Sequence, residues 1–351
     1  MRLCLIVLEM PVGGLERSVI FIANNVANRG IPVRLLILEN DDNSLIHLLD
    51  PSIEICCMTE KGLCKLVRLR QLTRSHVVHL HFWGGHVRPL YRLALLGRRP
   101  MFSTYHNIFY QRSQFWNLLD VLFSKQLSGV IAISETVRDF CINVVHIPES
   151  KLTLIYQGIV GSATLPKARP ADTELQLLSV ARIVEQKDHH TLIRGLAAVW
   201  RQGYCPRLTI VGDGPLLEST HELARRLNVD DEIIWMGEIH NENQLHTLVQ
   251  DADIFVTTSL WEGQGLAVLE AMAEGKPVIA SDIHPHREVL GDAGIYFPPQ
   301  DADALAKAIA SFYNDPSLRV RAGEAAWQRS RLFTLERTVE AHMTLYGARN
   351  G

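Results

Sequence analysis

The chain has 351 residues, 47% hydrophobic and 21% charged, with a formal net charge of −3. That length suits two domains, each with its own core, and the composition is globular rather than disordered, collagenous or disulfide-built. No segment approaches the ~20 apolar residues of a membrane span, and six cysteines without CxxC or disulfide-like spacing read as reduced thiols of a cytosolic protein.

The opening stretch, "MRLCLIVLEMPVGGLE", imitates a signal peptide, with one Arg before a short apolar run. Glu9 falls within that run, Pro11 and a glycine pair follow, and no small-residue cleavage site appears, so it reads as a β-strand. A helix is expected from about Gly14 to Arg29, then the strands "PVRLLILE", "VVHLHFW", "MFSTYH", "GVIAIS" and "KLTLIYQGI". "GSATLPKARPADTE" reads as a linker. A second series follows: "LQLLSVAR", a helix over "DHHTLIRGLAAVWRQG", "PRLTIVGDG", the helix "LLESTHELARRLN", "EIIWMGE", "DIFVTT", a helix from about Leu266 to Glu274, and "PVIAS". "FTLERTVEAHMTLY" has helical spacing and could pack on either half. Apolar strands alternating with helices imply parallel sheets with crossover helices, hence two doubly wound α/β domains of similar size. Ligands of such folds bind at the carboxyl ends of the strands, and two facing domains would form a cleft there.

Charge is uneven along the chain. Residues 1–165 hold 17 basic and 12 acidic residues; the remainder holds 18 and 26. From Lys61 to Leu119 there are ten basic residues and no acidic one. Such a run is either a solvated helix face or a surface for an anionic membrane or lipid-linked phosphate. Nucleic acid is excluded as a partner, because the whole chain is slightly acidic and carries no recognition motif.

The loops after strands hold the candidate site residues. Gly13 and Gly14 permit close approach of backbone to an anion at a helix N-terminus, or simply make a tight turn. His79 and His81 share one side of a strand and read as packing or hydrogen-bonding residues, since no further ligands stand at zinc-like spacing. His106 follows a strand directly, where a ligand would sit, although a satisfied loop histidine is the alternative. Arg182 and Lys187, between strand and helix, suit a pyrophosphate; exposed surface cations are the competing reading. "VGDGPLLE" begins a dinucleotide fingerprint with Gly212 and Gly214, but Leu217 stands where the third glycine belongs, which disfavours an NAD enzyme. In "WEGQGLAVLEAMAEGKPVIAS", Gly263 and Gly265 leave N–H groups bare at a helix N-terminus, and Gly275 is a C-cap. Glu262 and Glu270 stand eight residues apart, ~12 Å of rise and ~80° of rotation even if wholly helical. They read as two grips on one elongated ligand rather than a hydrolase pair.

The Glu-x7-Glu spacing of Glu262 and Glu270 resembles the signature of family-4 retaining glycosyltransferases (glycosyl transferases group 1), which have the GT-B fold. "GGLE" at Gly13–Glu16, "TYHN", "AISE" at Ala132–Glu135, "ARIVEQK" at Ala181–Lys187 and "IVGDGP" at Ile210–Pro215 carry the resemblance over nearly the whole chain. It implies a Rossmann-like, acceptor-side domain over residues 1–162, completed by a crossover helix over 326–351, and a nucleotide-sugar domain over 163–325. Glu270 would bind the ribose, Glu262 the donor sugar, and Arg182 and Lys187 the diphosphate. Gly13 and Gly14 would serve that diphosphate from the other domain, and His106 would contact the sugar. Gly212 and the backbone around Gly237–Ile239, with Gly265 and Leu266, would complete the donor site, Ile239 lying at the base. No cofactor or metal is implied beyond a UDP- or GDP-sugar donor. Three departures stand out: Gln157 replaces the family's Asn before Gly158, His76 stands where the family commonly has Asp, and "FWGGHV" at Phe82–Val87 is unusual and suggests acceptor recognition.

The implied function is a metal-independent, hexosyltransferase-type retaining enzyme. It would be cytoplasmic or peripheral on the inner membrane face, glycosylating a lipid-linked or surface polysaccharide or lipopolysaccharide precursor, with Lys61–Arg112 as the membrane-facing region. The alternatives are a nucleotide-sugar epimerase on the same fold, a soluble enzyme with a small-molecule acceptor, and a non-catalytic nucleotide-sugar binder.

Overall fold

The structure is a computed structural model that describes residues 1–11, 13–39, 43–83, 89–98, 100–108, 114–166 and 174–347. The chain divides into two compact units, Met1–Gly158 with the stretch from Leu335 onward, and Ile159–Thr334.

The first unit contains β1 (Leu3–Val7), α1 (Gly14–Ala27), β2 (Val33–Ile37), β3 (Glu54–Cys57), α2 (Gly62–Leu72), β4 (Val77–Trp83) and α3 (Pro89–Leu95). It continues with β5 (Met101–Tyr105), α4 (Gln114–Ser124), β6 (Gly129–Ala132), α5 (Glu135–Asn143) and β7 (Leu152–Leu154). The strands form a parallel sheet in the order β3-β2-β1-β4-β5-β6-β7. Strand order reverses between β1 and β4, so the loops after those two strands flank the place where such sheets hold ligands. The opening apolar run is β1, buried at all five positions.

The second unit contains β8 (Gln176–Val180), α6 (His189–Arg201), β9 (Arg207–Val211), α7 (Leu217–Arg226), β10 (Ile233–Trp235), α8 (Glu242–Asp251) and β11 (Ile254–Thr257). Then come α9 (Leu266–Ala273), β12 (Val278–Ser281), α10 (His284–Leu290), β13 (Gly294–Phe297), α11 (Ala302–Asn314) and α12 (Pro316–Ser330). Its sheet is parallel, in the order β10-β9-β8-β11-β12-β13, and reverses between β8 and β11. Helix starts follow side-chain chemistry: Asp188, Asn241, Asp301 and Asp315 cap α6, α8, α11 and α12 by accepting from backbone N–H groups. The core lies between sheet and helices, with Leu192, Leu196, Ile210, Ile254, Leu305 and Ile309 in one buried cluster.

The last helix, α13 (Leu335–Gly347), belongs to the first unit, where Leu335, Val339 and Tyr346 join the cluster of Leu3, Leu5, Val19 and Ala23. The return to the first unit expected from residue 326 begins instead at Leu335. Ala326 lies inside α12, fully buried in the second unit, where α12 packs on α9 and β12. A backbone bond from Ile159 N to Phe333 O and a bridge between Ile159 and Thr334 pin the following turn to that unit. The units likewise divide after Gly158 rather than after residue 162. Much of "FWGGHV", together with Arg88, Arg99, Arg112 and residues 167–173 of the expected linker, lies outside the described residues.

Candidate active site

In the second unit, the loops after β8 and β11 flank the reversal of strand order, and the structure joins them. Gln186 donates its side-chain amide to Trp261 O (2.8 Å), and its carbonyl accepts from Leu260 N (2.8 Å). The Thr258 hydroxyl reaches the carbonyls of Lys187 and Asp188 at 2.8 and 2.9 Å. Across this seam the Lys187 ammonium donates to Glu262 Oε1 at 2.5 Å, and the Ser259 hydroxyl donates to the same oxygen at 2.8 Å. Glu262 is buried, which on its own would raise its pKa. The Lys187 charge, helped by hydrogen bonds from Lys187 and Ser259, outweighs that and holds the carboxyl below the usual range. His286 is buried and shifted downward by desolvation, so at neutral pH it is uncharged and Lys187 is the cation that matters. Glu262 is therefore an ionised acceptor, not a proton donor.

Beneath this pair runs a buried polar chain. His286 Nδ1 donates to Ser281 O (2.8 Å), and the Ser281 hydroxyl donates to Ser259 O (2.5 Å), which fixes the loop that carries Ser259 and Glu262. Gly265 follows at φ +89°, a conformation that favours glycine, and caps α9 without a side-chain hydrogen bond. The N–H groups of Leu266 and Ala267 are those a helix start leaves without an intrahelical partner, so an anion suits this end. Glu270 lies one turn into α9, partly exposed. Arg182 is exposed in the loop after β8.

Gly212 is equally constrained. Its φ is +140°, and an added Cβ would stand 2.0 Å from Ala181 O. The close approach lets Gly212 N donate to Gly237 O (2.8 Å), which draws together the ends of β8, β9 and β10. Ile239, expected at the base, is buried just beyond.

In the first unit, Gly13 is the N-cap of α1 with an extended backbone, and no side chain caps that helix. The Glu16 carboxylate lies where a Gly13 side chain would be, and a larger residue there would turn that flexible side chain aside. His106 follows β5 as expected, but neither of its ring nitrogens is free. Gln157 donates its amide to Nδ1 (2.8 Å), and His81 Nδ1 faces Nε2 at 3.1 Å. His79 is held by Tyr346 OH (2.6 Å) and Thr104 Oγ1 (2.7 Å), with its ring centroid 3.9 Å from that of His81. His342 of α13 joins the group, 5.5 Å from His79 by centroid. Burial pushes all four histidines down, His106 to about 3 and His342 to about 4, so they are neutral. The His79/His81 pair is thus a hydrogen-bonding element, as its strand spacing suggests.

Arg92, expected on the basic surface, is a correction. It is buried and pairs with buried Asp120 at 2.6 Å, while Tyr105 OH donates to the other Asp120 oxygen at 3.0 Å. Four participants escaped the sequence reading: Gln186, Ser259, Ser281 and His286. Gln186 and Ser281 stood within quoted motifs, but nothing in their spacing marks the one as the clasp between two loops or the other as its support.

Two family models match the chain, glycosyltransferase family 4 over residues 12–160 and glycosyl transferases group 1 over residues 163–329. The chain is 29% identical to the glycogen synthase of Mycobacterium tuberculosis over 73% of its own length and 64% of that protein. It is 28% identical to the O-antigen chain mannosyltransferase RfbU of Salmonella typhimurium over 66% and 64% of the two lengths. The match thus spans somewhat less than two thirds of each relative. Among solved structures, Anabaena HepE in complex with UDP and glucose superposes with a TM-score of 0.83 over 99% of this chain and 100% of that one, at 20% identity, a likeness of fold. The two matched models meet where the two parallel-sheet units divide, and the chain belongs to the group 1, family 4 glycosyltransferases of the GT-B fold.

Proposed function

We propose that this chain transfers a sugar from a nucleoside diphosphate sugar to a hydroxyl acceptor, with retention of configuration and without a metal. The observation that carries this reading is the Lys187–Glu262 pair on the two loops at the strand reversal, beside the glycine-capped start of α9. Glu262, ionised and fixed by Ser259, accepts hydrogen bonds from sugar hydroxyls. Lys187, exposed Arg182 and the first N–H groups of α9 take up the negative charge that grows on the departing diphosphate, where preorganised donors lower the barrier most. Glu270 holds the ribose. Gly13, Gly14 and His106 take the family's roles at the diphosphate and the sugar. The acceptor hydroxyl attacks from the leaving-group side through an oxocarbenium-like state, and a phosphate oxygen accepts its proton.

The acceptor we assign is a lipid-linked precursor of a surface polysaccharide, met at the cytoplasmic membrane face. RfbU, by its name, acts on O-antigen chains. The surface of α2, α3 and α4 supports the membrane. Leu63 and Val67 on α2, Leu90 and Leu93 on α3, and Phe115, Leu118 and Leu122 on α4 are all exposed. The inward positions hold the Arg92–Asp120 pair among Tyr91, Leu95 and Phe123, so the exposed leucines and Phe115 form a second apolar surface that suits a bilayer. Lys61, Arg68 and Arg74 are exposed on or beside α2 and suit anionic headgroups. Among the described residues no helix is long and apolar enough to cross a membrane.

The test is a thermal-shift panel of UDP, GDP and their glucose, galactose and mannose conjugates, run with EDTA present. One base should raise the melting temperature of the wild type, because a ligand of the native state stabilises it, and Glu270→Ala should abolish that shift. A panel with no shift, or an undiminished shift in Glu270→Ala, overturns the reading.

A further inference from the structure

Gln157, 5% exposed, stands next to Gly158 at the end of the first unit's amino-terminal stretch, and its partners give it more than a packing role. A side-chain amide nitrogen only donates, so His106 Nδ1, 2.8 Å away, must accept. A neutral His106 then carries its hydrogen on Nε2 and gives it to His81 Nδ1 at 3.1 Å. His81 in turn carries its hydrogen on Nε2, which is buried without a protein partner. From the other side, His342 Nδ1 donates to Thr338 O (2.8 Å), which leaves its Nε2 a bare acceptor, also buried without a protein partner. The relay runs in one direction, from Gln157 through His106 to His81. It ends on one donor that faces the same buried histidine group as one acceptor. Helix α13 anchors its start, since the Thr338 hydroxyl donates to Tyr156 O (2.8 Å), the carbonyl just before Gln157.

We propose that Gln157 is a positioning residue for the transfer reaction: it fixes His106 in the Nε2–H tautomer and in one ring orientation, so that His106 meets the donor sugar as a rigid neutral group and not as an acid or base. This rests on the reading that His106 contacts the donor sugar. Both ring nitrogens are engaged within the unit, so His106 presents its ring edge and adjoining backbone, and its contribution is placement. A shift of ring position of about 1 Å is enough to slow such a reaction on the order of a hundredfold. Glutamate at this position would only accept. It would force the hydrogen onto His106 Nδ1, reverse the relay and draw a positive charge onto the ring.

Long-range proton–nitrogen spectra of the full chain, labelled at its 15 histidines, read the tautomer directly. His106→Gln assigns the His106 signals. The wild type should show His106 as Nε2–H at pH 7.5 and still neutral at pH 5.5, and Gln157→Glu should move it to Nδ1–H or to the cation. Turnover is followed as release of UDP from UDP-glucose or of GDP from GDP-mannose, whichever the wild type hydrolyses. Gln157→Glu should lower kcat roughly tenfold with a smaller change in donor KM, and add a limb between pH 5.5 and 7.5 to a profile that is flat there in the wild type. Gln157→Leu, which removes the donor without adding a charge, should lower kcat without that limb. An Nδ1–H tautomer in the wild type overturns the proposal, as does an unchanged tautomer or unchanged kcat in Gln157→Glu. The expected tautomer in a chain that hydrolyses neither donor places the failure in the functional reading, while the relay itself stands.

Discussion

Replacing Lys187 by methionine keeps the stem and removes the charge. The Lys187 and Glu262 side chains are 19% and 10% exposed, so the carboxylate is left largely desolvated with its counter-charge gone. Removing one partner of a fully buried pair costs about 3–5 kcal/mol. Here both side chains keep some water and the Ser259 hydroxyl still donates, so the expected loss is about 2–3 kcal/mol. Glu262→Gln should cost less, about 1 kcal/mol, because the amide oxygen still accepts from Ser259 and the lysine can turn outward to water. The double variant leaves no buried charge and should be more stable than Lys187→Met alone, which gives a coupling of about 1–2 kcal/mol. Wild-type Glu262 is held low, so its contribution is present above the ordinary glutamate pKa and fades as pH falls through the folded value. In Lys187→Met, burial is opposed chiefly by the Ser259 hydrogen bond and no longer by the lysine charge, which favours the protonated carboxyl, so the deficit narrows on acidification. Urea unfolding followed by tryptophan fluorescence at pH 7.5 and pH 5.5 measures all four proteins. Strictly additive single losses, or a Lys187→Met loss under about 0.5 kcal/mol, would refute a desolvated pair at this seam.

Two further outcomes are expected. His106, His189 and His342 are pushed by burial to about 3, 4 and 4, so the folded chain refuses protons that the unfolded chain takes up below about pH 6.5. Stability is fully present above that pH and falls as pH drops toward the folded values. Each neutral histidine costs about 2 kcal/mol by pH 5, about 6 kcal/mol for the three, and His79 and His81 act in the same direction. That approaches the whole stability of many domains, so a urea midpoint unchanged between pH 7.5 and pH 5 contradicts the assignment. On the surface of α3 and α4, Leu93→Glu with Leu118→Glu should release the chain from vesicles of phosphatidylglycerol. Each leucine transferred into a bilayer contributes about 1.5 kcal/mol, roughly tenfold in partitioning, and sedimentation equal to that of the wild type would sink the membrane reading.

What could be read from the sequence was what is local. Glycine and proline around α9 marked its ends, and the apolar runs marked β1, β8, β11 and β12, because those signals need no partner elsewhere. The strand β3, "EICC", was not legible: it is an edge strand with mostly exposed side chains and has neither an apolar run nor clean alternation. The division of α12 from α13 was missed for a related reason. The break at Arg331–Thr334 contains no glycine or proline, and its cause is a pairing with Ile159, 175 positions away. Arg92 reads as a surface cation until Asp120 on the next helix turns it inward. The His-x-His spacing placed His79 and His81 on one side of a strand, but their companions His342 and Tyr346 arrive more than 250 residues later. Glu262 was recognisable from its motif, whereas the serine and histidine chain beneath it has no spacing that distinguishes it from ordinary polar core residues.

The position of α13 bears on how the protein is made. The first unit is discontinuous in sequence: its sheet is synthesised first, but Leu335, Val339 and Tyr346 of its core, and the Tyr346 hydroxyl that holds His79, are translated after the whole second unit. Domains generally fold as the chain emerges, amino-terminal first. Here that order is inverted. The second unit can complete its core on the ribosome while the first still has a buried histidine and an apolar sheet face waiting for their cover. A nascent chain stalled just before Leu335 would therefore display a finished second unit joined to an unfinished first one, and that interval is when this protein most needs a chaperone.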